Sequence, residues 1–393
     1  MKVATNKKPS IKFSFNLEPT QAIDYLKNKG FKLTFDYDEM LGEAHHKAFT
    51  VAKVTRHDVL TDIFNSLQQA QKSGQRFEQW RDELKPDLQK KGWWGKKELT
   101  DPKTGEIKEV YIGSRRLRTI FNTNMRVAFN VQRYRQMMKL TQSVYWYYNA
   151  MMLPNTRDNH AAMNGTLLHR TNSFWNTNYP PNGWNCKCKV RAYSKQQAEK
   201  RGIKITKGTP KSIADKDWSH DIGAGSRVAK LTKMKLGSGL SAILPNLALA
   251  KLTAPQLKER FYNTLGIKQG KQFIDKTGDP MSIGDELFTN SATGASKITK
   301  QDRHLYIDEL AKTISDPDEI FLEYENRTGK GLLVKKMFRY FKDQNGENKA
   351  FMALFTYQQD KTIGTSIYVV KPAVIDKKRV EKLIYQKEQT SKE

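Results

Sequence analysis

The sequence predicts a multidomain α+β protein. It begins with a mainly helical amino-terminal domain that includes an irregular segment containing cysteine and histidine. A small α+β domain built on a four-stranded antiparallel sheet follows. Three observations predict this. An apolar stripe of helical period, studded with arginine, runs over 114–140. Four apolar, β-branched or aromatic runs separated by turn signals fill 320–370. The formal charge of +27 is also unevenly placed: residues 110–235 hold 23 basic against 5 acidic side chains, a net of +18, while residues 268–393 are nearly balanced. A chain of 393 residues has room for two or three domains, and the shifts in composition divide it at 1–200, 201–264 and 265–393.

Taken in order, residues 49–72 place Val51, Val54, Leu60, Ile63, Leu67 and Ala70 near helical spacing, with Gly74 as a stop. "GWWG" at 92–95 reads as an aromatic anchor in a turn, and "DPKTGE" at 101–106 as a hairpin tip. The helix expected over 114–140 presents Leu117, Ile120, Phe121, Ala128, Val131, Tyr134 and Met138 on one face, and Ser114 can cap it. Arg115, Arg116, Arg118, Arg126, Arg133 and Arg135 cover much of the remainder and are the candidate nucleic-acid contacts. Residues 145–193 read as irregular, and 201–264 as a basic linker or arm rich in Gly, Lys and Ser. In the tail, 298–315 reads as a helix that "DPDE" at 316–319 ends. The four strands follow at 320–325, 332–342, 350–357 and 362–370, and 376–388 reads as a terminal helix.

No apolar run approaches the ~18 residues that span a bilayer, so no membrane is expected. "MKVATNKKPSIKF" lacks the apolar core of a signal peptide, and two cysteines fit synthesis in a reducing cytoplasm. A net of +18 in one stretch calls for an acidic partner, either nucleic acid or protein.

Both cysteines lie in "YPPNGWNCKCKVRAY" at 179–193. With His160 and His169 they form an H-x8-H…C-x-C set. Cys186, Cys188, His160 and His169 are therefore candidate ligands of a structural zinc, the only cofactor considered. The alternative is two small thiols packed under the "PPNGW" turn, and both readings stay open. A disulfide between Cys186 and Cys188 would close a strained ring.

"TRDNHAAMNGTLLHRTNSFWNTNYPPNGWNCKCKV", with Arg157, His160, Gly165, Pro180, Pro181, Gly183, Trp184, Asn185, Cys186 and Cys188 in pattern, resembles the Mu F-like family of phage minor head (head morphogenesis) proteins over roughly 15–195. Lys187 stands where many members have Arg. The resemblance implies a protein made in the bacterial host cytoplasm and placed in the virion, inside the capsid near the portal vertex. It implies a role in head assembly, with portal, major capsid or scaffold proteins and packaged DNA as partners.

In the tail, His304 is the only histidine after 220, beside Arg303, with Glu323, Arg339, Tyr340, Thr365, Ser366 and Tyr368 downstream. These residue types can supply a general base, a general acid and donors to phosphoryl oxygens. His304, Glu323, Arg339, Tyr340, Thr365 and Ser366 are the candidate catalytic residues. Lys297, Lys300, Arg303, Lys335, Lys336 and Arg339 form a candidate basic patch. "DPDEI", "FRYF" and the last "TS" strand resemble phage-associated nuclease domains of the barnase–EndoU–colicin–RelE superfamily over roughly 265–393. That resemblance implies an open sheet face carrying the site, metal-independent RNA cleavage or a toxin-like role, and an immunity or inhibitor protein as partner. The readings that compete with a minor head protein carrying such a domain are an effector nuclease delivered by the virion and a non-catalytic nucleic-acid-binding internal capsid protein.

Overall fold

The computed structural model of the chain describes residues 20–40, 44–223, 225, 231–237, 239–269, 271–290, 293–327, 330–358 and 361–387. The amino-terminal half contains α1 (Thr20–Lys27), β1 (Gly30–Phe31), α2 (Ala44–Lys47), β2 (Ala48–Phe49), α3 (His57–Ser73), α4 (Phe77–Lys90), β3 (Gly95–Thr100), β4 (Ile107–Ile112) and α5 (Ser114–Met138). Helix α3 buries Leu60, Ile63, Leu67 and Ala70 and ends at Gly74 in the left-handed conformation. It begins at His57, and the segment before it is a short strand, a turn at Lys53 and a bridge at Val54, not helix. Strands β3 and β4 pair antiparallel around the 101–106 tip, as its turn residues predict. In α5, Leu117, Ile120, Phe121, Ala128 and Val131 are buried, but Met138 is exposed.

Residues 145–193 are more regular than their composition suggests. Strands β5 (Tyr145–Asn149), β6 (Leu167–His169) and β7 (Lys189–Tyr193) form a sheet of order β6-β5-β7, interspersed with α6 (Asp158–Ala162) and α7 (Trp175–Asn178). Alternate residues of β5, Trp146 and Tyr148, are buried against Phe174, Trp175 and Tyr179. Large aromatics at period two form this core, and the run of Asn and Gly around them masked it.

After α8 (Lys195–Lys200), much of the predicted arm, among the described residues, has no regular secondary structure. Helix α9 (Ala254–Leu265), inside the stretch read as linker, buries Leu257, Phe261, Tyr262 and Leu265 and packs on α10 (Ile307–Ser315). The tail sheet has the predicted meander, β10 (Glu319–Arg327), β11 (Lys330–Lys342), β12 (Asn348–Gln358) and β13 (Lys361–Val370). It is widened by β8 (Gln272–Ile274), β9 (Pro280–Ser282) and β14 (Lys382–Gln386) to the order β14-β10-β11-β12-β13-β9-β8. The last segment is not one helix but α11 (Pro372–Lys378) followed by β14, which pairs with β10. The helix read over 298–315 splits, because Gln301 and Asp302 take left-handed dihedrals before α10.

The two sheet faces bury different partners. Met337, Phe341, Phe351, Ala353 and Phe355 face α10 and join a core that continues into α3, α4 and α5. Phe321, Val334, Phe338, Ala350 and Met352 face the other way, against Leu231, Met234, Leu236 and Leu240 of the arm and Ile375 of α11. The arm is fixed beside Lys342, whose N–H donates to Ser241 O (3.0 Å) and whose carbonyl accepts from Ile243 N (2.9 Å).

Two glycines allow the halves to touch. A Cβ on Gly30 would meet Ile384 O at 2.3 Å, and one on Gly278 (φ 80°) would meet Leu33 O at 2.3 Å. Leu33 N donates to Thr277 O (2.6 Å), and the His57 Nε2 proton goes to Thr277 Oγ1 (2.9 Å). Beneath this contact lies Lys335, fully buried, whose ammonium donates to Asp275 Oδ2 (2.6 Å), Asp279 Oδ2 (2.5 Å) and Thr277 Oγ1 (3.2 Å). Replacing Lys335 with Met leaves the two buried carboxylates of Asp275 and Asp279 without their cation in a dry site. It is expected to cost roughly 3–5 kcal/mol, read as a lower urea midpoint at unchanged m-value. A loss below about 1 kcal/mol would show that water reaches the cluster.

Candidate functional site

Two constellations stand out, one in each half. In the amino-terminal half, His160 projects from α6 toward Cys186 and Cys188, and its Nδ1 lies 3.7 Å from each sulfur. All three residues are buried and both cysteines are free thiols. Asn182 Nδ2 donates to the Tyr148 hydroxyl (3.0 Å) and to Asn178 O (3.1 Å), which fixes the turn above the sulfurs. Cys186, with His160 and Tyr148 nearby, lowers the Cys188 thiol, whereas the Cys186 thiol is raised by Cys188 and by burial. A cavity of about 460 Å³ reaches Cys186 and Cys188 between Arg126, Asn130, Arg133 and Lys187.

His169 does not join them. It is exposed at the end of β6, where Nδ1 bonds Thr171 Oγ1 (2.7 Å) and the ring meets the edge of Tyr145. The expected four-ligand set is therefore a set of three.

The arginine stripe of α5 is largely engaged within the chain. Arg116 donates to Ala52 O (3.0 Å), Arg126 to Cys186 O (3.5 Å), Arg133 to Val190 O (3.4 Å) and Arg135 to Gly225 O (3.2 Å). Arg118 bonds Glu78 (3.0 Å) and covers Phe77. Arg115 is exposed and lines an open cleft with Tyr37, Tyr111 and Trp184. Much of the basic face thus holds neighbouring backbone in place.

In the tail, the predicted catalytic set separates. Arg339 and Tyr340 are consecutive on β11, so the pleat sends them to opposite faces. Arg339 lies on the α10 side, bonded to Glu309 (3.2 Å) and Asp316 (3.3 Å). Tyr340 lies on the arm side, where its hydroxyl donates to Glu319 Oε2 (2.5 Å). Burial and the Glu319 carboxylate raise that phenol's pKa. Arg379 donates to both Glu319 oxygens (2.8 and 3.0 Å), and its Nη2 also donates to Met234 O (2.8 Å). Met234 N closes the group on Glu319 Oε1 (2.6 Å). Glu319 and Arg379 were missed in the sequence because "DPDE" reads as a turn and 376–388 as a helix. Glu323 shares the arm-side face but pairs with buried Lys336. Lys335, expected in a basic patch, is the interior ion described above.

A third group forms around His304. Arg303 is 8% exposed, lies over the Tyr368 ring at 5.4 Å, and its Nε and Nη1 have no hydrogen-bond partner. The neighbouring His304 Nδ1 is also buried without a partner. Lys297 Nζ donates to Thr365 O (2.8 Å) and Glu286 O (2.7 Å), and burial followed by the charge of Arg303 lowers its pKa. Burial likewise lowers Arg303. Thr365 Oγ1 donates to Leu354 O (3.1 Å), and Ser366 pairs with Leu354 across the β12–β13 ladder. A buried guanidinium with donors to spare, a half-buried ammonium beside it and an unused imidazole nitrogen suit an anion such as phosphate.

Comparison with known proteins matches the two ends of the chain to different families. Residues 61–191 match the family described as Phage Mu protein F like protein, and residues 257–386 match the phage-Barnase-EndoU-ColicinE5/D-RelE like nuclease2 family. The chain is 42% identical over 198 residues to the putative capsid assembly protein F of Escherichia phage Mu, covering 50% of this chain and 45% of that protein. It is 36% identical over 220 residues to the Mu-like prophage FluMu F protein of Haemophilus influenzae, covering 53% and 51% respectively. The chain thus spans about half the length of the curated relatives it matches. No solved structure matches. The chain joins a region similar to Mu F-like proteins to a region similar to that nuclease-like family.

The Glu319 cluster carries its own test. Tyr340→Phe removes a donor to a buried carboxylate and is expected to cost roughly 1.5–3 kcal/mol in denaturant unfolding. A neutral effect would mean that Arg379 and Met234 alone satisfy Glu319.

Proposed function

We propose that this chain is a virion-associated phage head-assembly protein acting near the portal vertex, and that its carboxy-terminal domain cleaves RNA through the 2′-OH. The likeness of residues 61–191 to Mu F-like proteins supports the first part. Portal, major capsid or scaffold surfaces and packaged nucleic acid are the partners this reading assigns. The excess of basic residues over 110–235, with exposed Arg115, supports an acidic partner there.

The observation that carries the second part is the pair of adjacent residues with unspent polar atoms, Arg303 and His304, next to Lys297 and Tyr368. Arg303 offers two N–H donors to the phosphoryl oxygens of a scissile diester. Lys297 adds positive charge beside it. The His304 imidazole moves a proton, either from the attacking 2′-OH or to the departing 5′-oxygen. The bond formed is 2′-O to phosphorus and the bond broken is phosphorus to 5′-O, which leaves a 2′,3′-cyclic phosphate. Arg339, on the opposite face and engaged by Glu309 and Asp316, takes no part in this reading.

Cleavage by the full chain is measured on a short RNA with and without EDTA. His304→Ala is expected to lower the rate roughly 10²–10⁴-fold. Arg339→Ala should leave it unchanged, EDTA should not abolish it, and a 2′-deoxy nucleotide at the scissile position should resist. Undiminished cleavage by His304→Ala would remove the proposed catalyst. RNA binding without cleavage in every condition would favour a non-catalytic internal capsid role.

A further inference from the structure

We propose that His160, Cys186 and Cys188 bind one zinc ion, through Nδ1 and the two sulfurs, with a water from the adjoining cavity in the fourth position. The inference is independent of the nuclease reading. It concerns the half of the chain whose interior is aromatic and whose strands are short.

The spacing is the first support. A tetrahedral zinc with Zn–S near 2.3 Å and Zn–N near 2.0–2.1 Å holds sulfur and nitrogen about 3.6 Å apart. Both Nδ1-to-sulfur separations are 3.7 Å. One ligand atom from each residue lies within 4.8 Å of the other two, and among the described residues no other trio of His, Cys, Asp or Glu is so gathered. Packing alone does not need an imidazole equidistant from two thiols. One S–H···N bond would draw it to a single sulfur.

The surroundings are the second support. Tyr148, whose hydroxyl accepts from Asn182, packs in the same buried cluster as both cysteines and confines the sulfurs. Arg126 donates to the carbonyl of Cys186, so helix α5 braces the loop between the two sulfurs. Two thiolates and a neutral imidazole balance a divalent charge, which makes a buried site tolerable. The cavity that reaches both cysteines gives an ion its route in and leaves room for water. His169, far along β6 and bonded to Thr171, is not a ligand.

The test uses the full chain, purified without a polyhistidine tag. Elemental analysis is expected to find about one zinc per chain, retained by His169→Ala and lost by both Cys186→Ser and His160→Ala. Replacing the ion with cobalt should give the sulfur-to-metal charge-transfer band and the intense visible bands of a tetrahedral thiolate site. Because loss of packing alone can destabilise the variants, the wild-type chain supplies a second readout. Alkylation of its cysteines should accelerate at least about tenfold when a chelator is added. A wild-type chain that carries no zinc after growth with added metal, gives no cobalt spectrum and alkylates at one rate with or without chelator would overturn the proposal. Zinc retained by Cys186→Ser would overturn the assignment of ligands.

Discussion

The ammonium of Lys335 is the fixed point of the molecule. A fully buried cation survives only where each proton meets an acceptor and its charge is matched. Asp275, Asp279 and Thr277 provide this from the β8–β9 hairpin. Their own remaining bonds then propagate outward. Thr277 Oγ1 gives its proton to Asp275 and so receives from His57, at the start of α3. Asp279 receives Tyr357 and Thr362 from the last two strands of the meander. One ion therefore ties the hairpin, the sheet and the head-like half together. Burial and the nearby Lys335 charge keep His57 neutral, its pKa lowered well below the usual range. The hairpin can sit so close only because Gly278 has no side chain to meet Leu33.

Parts of this were legible in the sequence because they repeat with a period. The long stripe of α5 and the four runs of the meander are each carried by many residues, so no single misreading erases them. The β5–β7 sheet was not legible. Its strands are short, and the aromatics that fill its core are spread through turns whose Asn and Gly dominate the local signal. The terminal helix failed for a different reason. Pro372 starts a helix, but by Lys382 the chain has reached the open edge of β10, where ladder pairing outweighs helical preference.

The sites were legible as inventories rather than as arrangements. Composition identified the tail histidine and the residue types around it, but strand alternation decides which of them share a face, and it separates Arg339 from Tyr340. Arg303 reads in sequence as one of several surface cations. Only burial without a partner singles it out. Around the cysteines the reverse holds. The motif marked the right loop, yet the second histidine that seemed to complete it belongs to a strand end elsewhere.

The arm that crosses the sheet belongs to the chain it covers, and this changes what any competitor for that surface must overcome. Met234 holds Glu319 and Arg379 through main-chain atoms, while the arm is pinned a few residues later at Lys342. Tethering of this kind sets an effective local concentration, commonly on the order of millimolar for a short connection. A free peptide or another protein with the same intrinsic affinity would have to approach that concentration to displace the arm. Cutting the backbone at the Lys342 side alone would not remove the advantage, because the half that precedes the arm is itself docked on the tail through Thr277.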